Sequence, residues 1–159
     1  MAYSVLGRPL PFREPDALVL LGERKTTRGD EAATTSYPAF EDWQRRSRIF
    51  ASVAASHLWM PVLRTPAGSV EIRGAQVTQD FFSTLGLDLA RGRGLLPSDW
   101  NLGATPVVVV SHRAWREQFG SDPALVGKIL SLDGTLHTVV GVLPARLPLT
   151  EPIVLGEAE

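Results

Sequence analysis

The clearest pattern of apolar and polar positions lies in the last third of the chain. PVVVVS, Pro106 to Ser111, is an unbroken apolar run and reads as a buried strand. HRAWREQFG follows as a helix, and SDPALVG as a further short helical turn with Asp122 capping ahead of Pro123. KILSLDGTLHTVVGVLP predicts two strands joined by Asp133-Gly134, a dipeptide suited to a tight hairpin turn. In the second of these, alternation puts His137, between Leu136 and Thr138, on the solvent side. The tail, PARLPLTEPIVLGEAE, holds one edge strand at Ile153 to Leu155.

The earlier part is less regular. GRPLPFREPD, Gly7 to Asp16, carries three prolines and reads as an extended lead-in. ALVLLGER, Ala17 to Arg24, is apolar enough for a short buried strand, and KTTRGDEAATT is polar and turn-rich, a mobile loop. The RGD within it is three common residues and carries no inference. SYPAFEDWQRRSRIF predicts a helix over Pro38 to Arg46, with Ser36 as cap, acidic residues early, arginines late, and Phe40 and Trp43 on one face. MPVLRTP and SVEIRGAQVT alternate as hairpin strands around Ala67-Gly68. TQDFFSTLG predicts a short helix from a Thr78 cap to Gly86, and LDLARGRGLLPSDWNLGAT reads as loop.

Composition narrows the function classes. The chain has 159 residues, 44% hydrophobic and 21% charged, as in globular proteins that bury a core without staples. A formal net charge of −1 gives no electrostatic reason to expect nucleic acid as a partner. The absence of cysteine removes disulfides and thiolate metal sites. No run reaches the roughly 20 apolar residues of a membrane-spanning helix, and MAYSVLGRPLPF lacks the layout of a signal peptide.

Ser111-His112 follows a strand and precedes a helix, where some hydrolases keep a nucleophile. Val109 and Arg113 stand where the elbow needs small residues, so Ser111 reads as a helix cap. His57, His112 and His137 lack metal-ligand spacing. ARGRGLL has two glycines but not the pattern of a phosphate loop; its glycines suit a turn, and Arg91 and Arg93 suit local carboxylates or carbonyls. Glu41, Asp42, Asp80, Asp88 and Asp99 show no paired arrangement across a cleft. Of four tryptophans, Trp43 and Trp115 fall on amphipathic helices and read as core. The residues thus predict no catalytic, cofactor-binding or metal site.

Five phrases, in order, cover Arg8 to Pro144: RPLPFREPDALVLL, SYPAFEDWQRRSRIFASVAA, EIRGAQVTQDFFSTLGLDLARGR, VVVVSHRAWREQFGSDPALVGKILSLDG and HTVVGVLP. Together they resemble the extracytoplasmic domain of MacB-like, FtsX-like ABC transporter permeases, most of all the duplicated orphan group called acidobacterial permeases. The resemblance implies an α+β fold of two small lobes. A porter-like βαβ portion would span 1–78, incomplete, and a Sabre-like α/β lobe 79–159. Phe81, Phe82, Leu85 and the Gly92-Arg93 turn match the entry motif of that second lobe.

It further implies a domain outside the bacterial inner membrane that is not an enzyme. Such a domain passes motion from a separate cytoplasmic ABC ATPase, through the parent permease's transmembrane helices, to a protein, peptide or lipid-linked substrate. No cofactor and no nucleic acid enter. Against the family pattern, a first transmembrane helix is expected before the RPLP segment and a βα stretch after the last residue. The expected consequence is an unpaired sheet edge that recruits a second copy, as a homodimer or by swapping in solution. Two other readings stay open on the residues alone: a small hydrolase using Ser111 with His112 or His137, and a stand-alone module gripping a ligand with Leu95 to Thr105 or its tryptophans.

Overall fold

The computed structural model describes residues 12, 14–19, 21, 35–145 and 153–156. Its architecture is mixed α+β, with three α-helices and nine strands among those residues. The strands are β1 (Ser56–Trp59), β2 (Val62–Thr65), β3 (Gly68–Glu71), β4 (Gly74–Val77), β5 (Arg91–Gly92), β6 (Val107–Val110), β7 (Ile129–Leu132), β8 (Thr135–Val142) and β9 (Ile153–Gly156). The helices are α1 (Tyr37–Arg46), α2 (Phe81–Leu85) and α3 (His112–Glu117).

The hairpin foreseen around Ala67-Gly68 is longer than its sequence pattern showed. β1 and β2 are successive halves of one bent strand, and β3 and β4 halves of the other. Ser56 faces Val77 at one end and Thr65 faces Gly68 at the other. The register is kept across the bend, where Ile72 N–H donates to the Pro61 carbonyl at 2.9 Å. The outer half joins the rest through β2–β7 and the inner half through β4–β9. The sheet order, β1-β4-β9-β6-β8-β7-β2-β3, thus begins and ends on the same hairpin.

β6 lies in the middle, parallel to β8 and antiparallel to β9. Both of its faces are covered, which is why four valines run without alternation. Val108 and Val110 pack with Leu63, Leu130 and Leu132 under α3; Val107 and Val109 pack with Val77, Phe82 and Leu143 under α2. A register shift at Val108/Val109 inserts one extra residue in β8, so Val139 and Val142, three positions apart, both enter the core under α3.

Several local expectations hold. Helix α1 starts one residue before the predicted Pro38 and ends at Arg46 as expected. Ion pairs Glu41–Arg45 and Asp42–Arg46 lie along its exposed side. Gly86 ends α2 in the left-handed conformation, and Asp133 and Gly134 both take the positive φ of a tight hairpin turn.

Others are corrected. His137 is 3% exposed, not solvent-facing: it pairs with Leu130 on the inner side of β8, and Leu136 is the outward residue. Ile153 to Leu155 is not an edge; β9 runs between β4 and β6. No strand forms among the described residues of Ala17 to Arg24; Pro15–Ala17 is a 3-10 turn and Val19 is exposed. Ser36 and Thr78 are not side-chain caps; Thr78 Oγ1 accepts from Ala55 N–H instead. SDPALVG is a turn rather than helix, and the glycine-rich loop contains β5 and a 3-10 turn at Pro97–Trp100. The RGD segment lies outside the described residues.

Candidate functional site

The residues singled out for chemistry separate into three places. At the end of β6, Ser111 is buried and its Oγ accepts the Ala114 N–H at 3.1 Å, the bond of an N-cap. His112 turns away from it and sets its ring edge-on to Trp115, centroids 5.4 Å apart. Trp115 packs against the core below and donates its indole N–H to the Asp122 carbonyl at 2.8 Å. The Arg91 guanidinium lies 5.2 Å over the same ring. An arginine and a histidine thus share one tryptophan, a grouping that sequence reasoning missed because β5 and α3 are 20 residues apart and nothing local signals their contact.

His137 sits elsewhere, among core strands, with its Nδ1 3.1 Å from the Thr135 carbonyl and its ring 6.3 Å from that of Trp59. A carbonyl only accepts, so Nδ1 carries the proton in this contact. His57 lies on β1 and is exposed. Among the described residues no three His, Cys, Asp or Glu side chains gather as a metal cluster.

The ARGRGLL segment is a structural crossing. Arg93 reaches Asp99 through two hydrogen bonds of 2.7 and 2.8 Å, and the Leu96 N–H donates to the same carboxylate at 2.8 Å. Burial pushes the Asp99 carboxyl up, but the Arg93 hydrogen bonds, the Leu96 N–H and the nearby positive charge outweigh it and hold it below its usual value. The clasp fastens the first part of the Leu95 to Thr105 loop, leaving Leu102 fully exposed beyond it. Gly92 pairs with Gly141 where β5 crosses β8.

Near α3, Asp122 pairs with Lys128 and accepts the Ala124 N–H at 2.8 Å. The lysine first, then that N–H, keep its carboxyl low. Ser111, Asp99 and Asp122 are thus each bonded to neighbours that hold a turn or a helix end.

A family model described as the MacB-like periplasmic core domain matches residues 8–155. The chain belongs to that family. It is accordingly a periplasmic or extracellular domain of a bacterial MacB-like ABC transporter permease, of a kind generally without catalysis. Among solved structures, it is similar to the periplasmic region of MacB from Actinobacillus actinomycetemcomitans (18% identity, TM-score 0.65, 87% of this chain and 62% of that one). It is also similar to the extracellular domain of the noncanonic ABC-type transporter YknZ from Gram-positive bacteria (21% identity, TM-score 0.54, 65% of this chain and 52% of that one). The domain therefore spans between half and two thirds of the length of either relative. No curated protein sequence matches the chain. Among the described residues no helix is long and apolar enough to cross a membrane.

Proposed function

We propose that the domain is a non-catalytic coupler. It receives movement from the transmembrane helices of its parent permease, driven by ATP hydrolysis in a separate cytoplasmic ABC ATPase, and delivers it to a protein, peptide or lipid-linked substrate outside the inner membrane. One observation supports this reading above others. A single hairpin takes up both ends of the sheet order, so displacing one strand loads backbone ladders on both sides of the core. A body tied in this way transmits force rather than absorbing it.

The division into a porter-like 1–78 and a Sabre-like 79–159 belongs to the same proposal, as does membership of the acidobacterial orphan group. On that division the ladders β2–β7 and β4–β9 are the seam that makes two lobes one mechanical piece. No residue of the domain makes or breaks bonds in this account. The test uses the parent permease with its ATPase in lipid vesicles. Replacing Ser111 and His112 together by alanine leaves ATP turnover unchanged, and a fluorophosphonate probe does not label the wild-type domain. Labelling that disappears in Ser111→Ala would overturn the proposal in favour of the hydrolase.

A further inference from the structure

Arg45, Arg46, Arg93 and Arg113 each hold an acidic side chain, and Lys128 holds Asp122. The two arginines beside Trp115 differ. Arg91 on β5 and Arg116 on α3 are exposed, and neither has an ion pair or a side-chain hydrogen bond among the described residues. The acidic residues around α3 are already engaged, Glu117 with Arg113 and Asp122 with Lys128. A chain with a formal net charge of −1 therefore carries a local excess of positive charge about this tryptophan.

Arg91 is also held more firmly than an exposed arginine ordinarily is. Its backbone is bonded to β8 on both sides, by Ala90 N–H to the Val142 carbonyl at 2.9 Å and Arg93 N–H to the Val140 carbonyl at 2.8 Å. Its guanidinium lies over the Trp115 ring, 5.2 Å from the centroid. That ring is fastened in turn to the core and, through its indole N–H, to the Asp122 carbonyl. Stacking covers a face of the guanidinium and leaves the N–H groups at its rim to donate. The His112 ring, 5.4 Å from the same indole, has no hydrogen bond among the described residues, and Arg116 follows it one turn later on the same face of α3. A planar fork already held in place loses little freedom when it binds.

We propose that Arg91, His112 and Arg116, grouped about Trp115, form a binding site for a phosphate monoester. The chemistry selects that group. Three donors on two elements match the three terminal oxygens of a tetrahedral monoester, and its two negative charges match two guanidinium groups. A carboxylate offers two oxygens in one plane and a single charge, which one arginine fork satisfies by itself. The inference stands on this grouping and is independent of the coupler reading.

The full chain is titrated with glycerol 3-phosphate at an ionic strength fixed by sodium chloride and followed by nuclear magnetic resonance at the Arg91 Nε–H and the Trp115 indole N–H. Both signals shift saturably below about 50 mM ligand, and succinate shifts them little. Read at the indole, Arg91→Gln weakens binding at least about tenfold, as the loss of a charge-assisted fork requires. His112→Gln and Arg116→Gln, both away from the β5 crossing, each weaken it about twofold to fivefold. Arg91→Lys, which keeps the charge without the planar fork, binds between wild type and Arg91→Gln. Arg64→Gln removes an equal charge from β2 and leaves the affinity unchanged.

Co-sedimentation with phosphatidylcholine vesicles, with and without phosphatidate, separates the two sources of a monoester. Association with phosphatidate vesicles that Arg91→Gln abolishes assigns a lipid headgroup; binding of glycerol 3-phosphate without such association assigns a soluble ester. No binding in either arm, an equal response to succinate, or an affinity indifferent to Arg91→Gln and His112→Gln would each overturn the proposal.

Discussion

The crossing of β5 over β8 offers a prediction whose components separate cleanly. Gly92 has φ +69°, and a Cβ added there would stand 2.1 Å from the Val140 carbonyl oxygen, where real Cβ contacts stay beyond 3.0 Å. Gly141, its partner, has no positive φ, but a Cβ would stand 2.3 Å from the Arg93 carbonyl oxygen. Gly103 has φ +81° with nothing within 4 Å. Alanine at these three positions therefore tests backbone conformation alone (Gly103), collision alone (Gly141) and both together (Gly92).

A left-handed alanine costs about 1–2 kcal/mol, partly offset because alanine also restricts the unfolded chain, so Gly103→Ala loses about 1 kcal/mol. The collisions involve backbone atoms that cannot swing aside. Relief requires either overpacking strain of about 1–3 kcal/mol or release of β5 from β8. Release breaks the bonds from Ala90 N–H to the Val142 carbonyl and from Arg93 N–H to the Val140 carbonyl, each worth about 0.5–1.5 kcal/mol. The two routes cost alike, so Gly141→Ala loses about 1–3 kcal/mol and Gly92→Ala about 2–4 kcal/mol. Urea unfolding followed by tryptophan fluorescence gives these losses as midpoint shifts at constant slope. If Gly92→Ala were no worse than Gly103→Ala, the close crossing would not exist as described.

Three further outcomes follow from the packing and charges. Leu132→Ala removes a fully buried side chain facing Leu63 and loses about 2–5 kcal/mol in the same urea assay; a loss under about 1 kcal/mol would contradict the core assignment. Ser111→Ala loses about 1 kcal/mol through the missing cap, and His112→Ala, on the outer side of Trp115, loses less; the reverse order in urea would misplace α3. The Arg93–Asp99 clasp stabilises the fold above the ordinary carboxylate range, because Asp99 is held low in the folded state. Its contribution fades as pH falls through the lowered value, so the stability gap between wild type and Arg93→Ala narrows as the pH is taken down through and below the ordinary carboxylate range. A gap that widens on acidification would refute that sign.

Local chemistry was the legible part of this sequence. Ser111 before an apolar-periodic helix, Asp133-Gly134 between two strands, and Gly86 after α2 each act within a few residues, and each stands where the pattern put it. Pairings between distant segments were not legible. Ile153 to Leu155 looks like an edge because nothing nearby in sequence pairs with it; its partners, β4 and β6, lie some 80 and 45 residues back.

Alternation holds at His137 but in the opposite phase: His137 and Val139 both point inward while Leu136 points out, and an imidazole there is tolerated with its Nδ1 hydrogen-bonded to Thr135. β1 escaped notice because Ser56 and His57 dilute its strand character and Pro61 interrupts the run. The candidate chemistry was legible chiefly as a set of capping and turn residues, and the Arg91–Trp115–His112 grouping was not, since it needs the fold to assemble it.

The central claim is that the sheet moves as one piece. Spin labels at Ile49 and Leu102, both well exposed, report distances within the domain, and a third on a transmembrane helix of the parent permease reports its position. Measured by pulsed electron resonance in the assembled transporter with and without ATP, the Ile49–Leu102 distance stays constant while the distance to the membrane label shifts. An internal distance that changes with nucleotide, or a membrane distance that does not, would contradict the account.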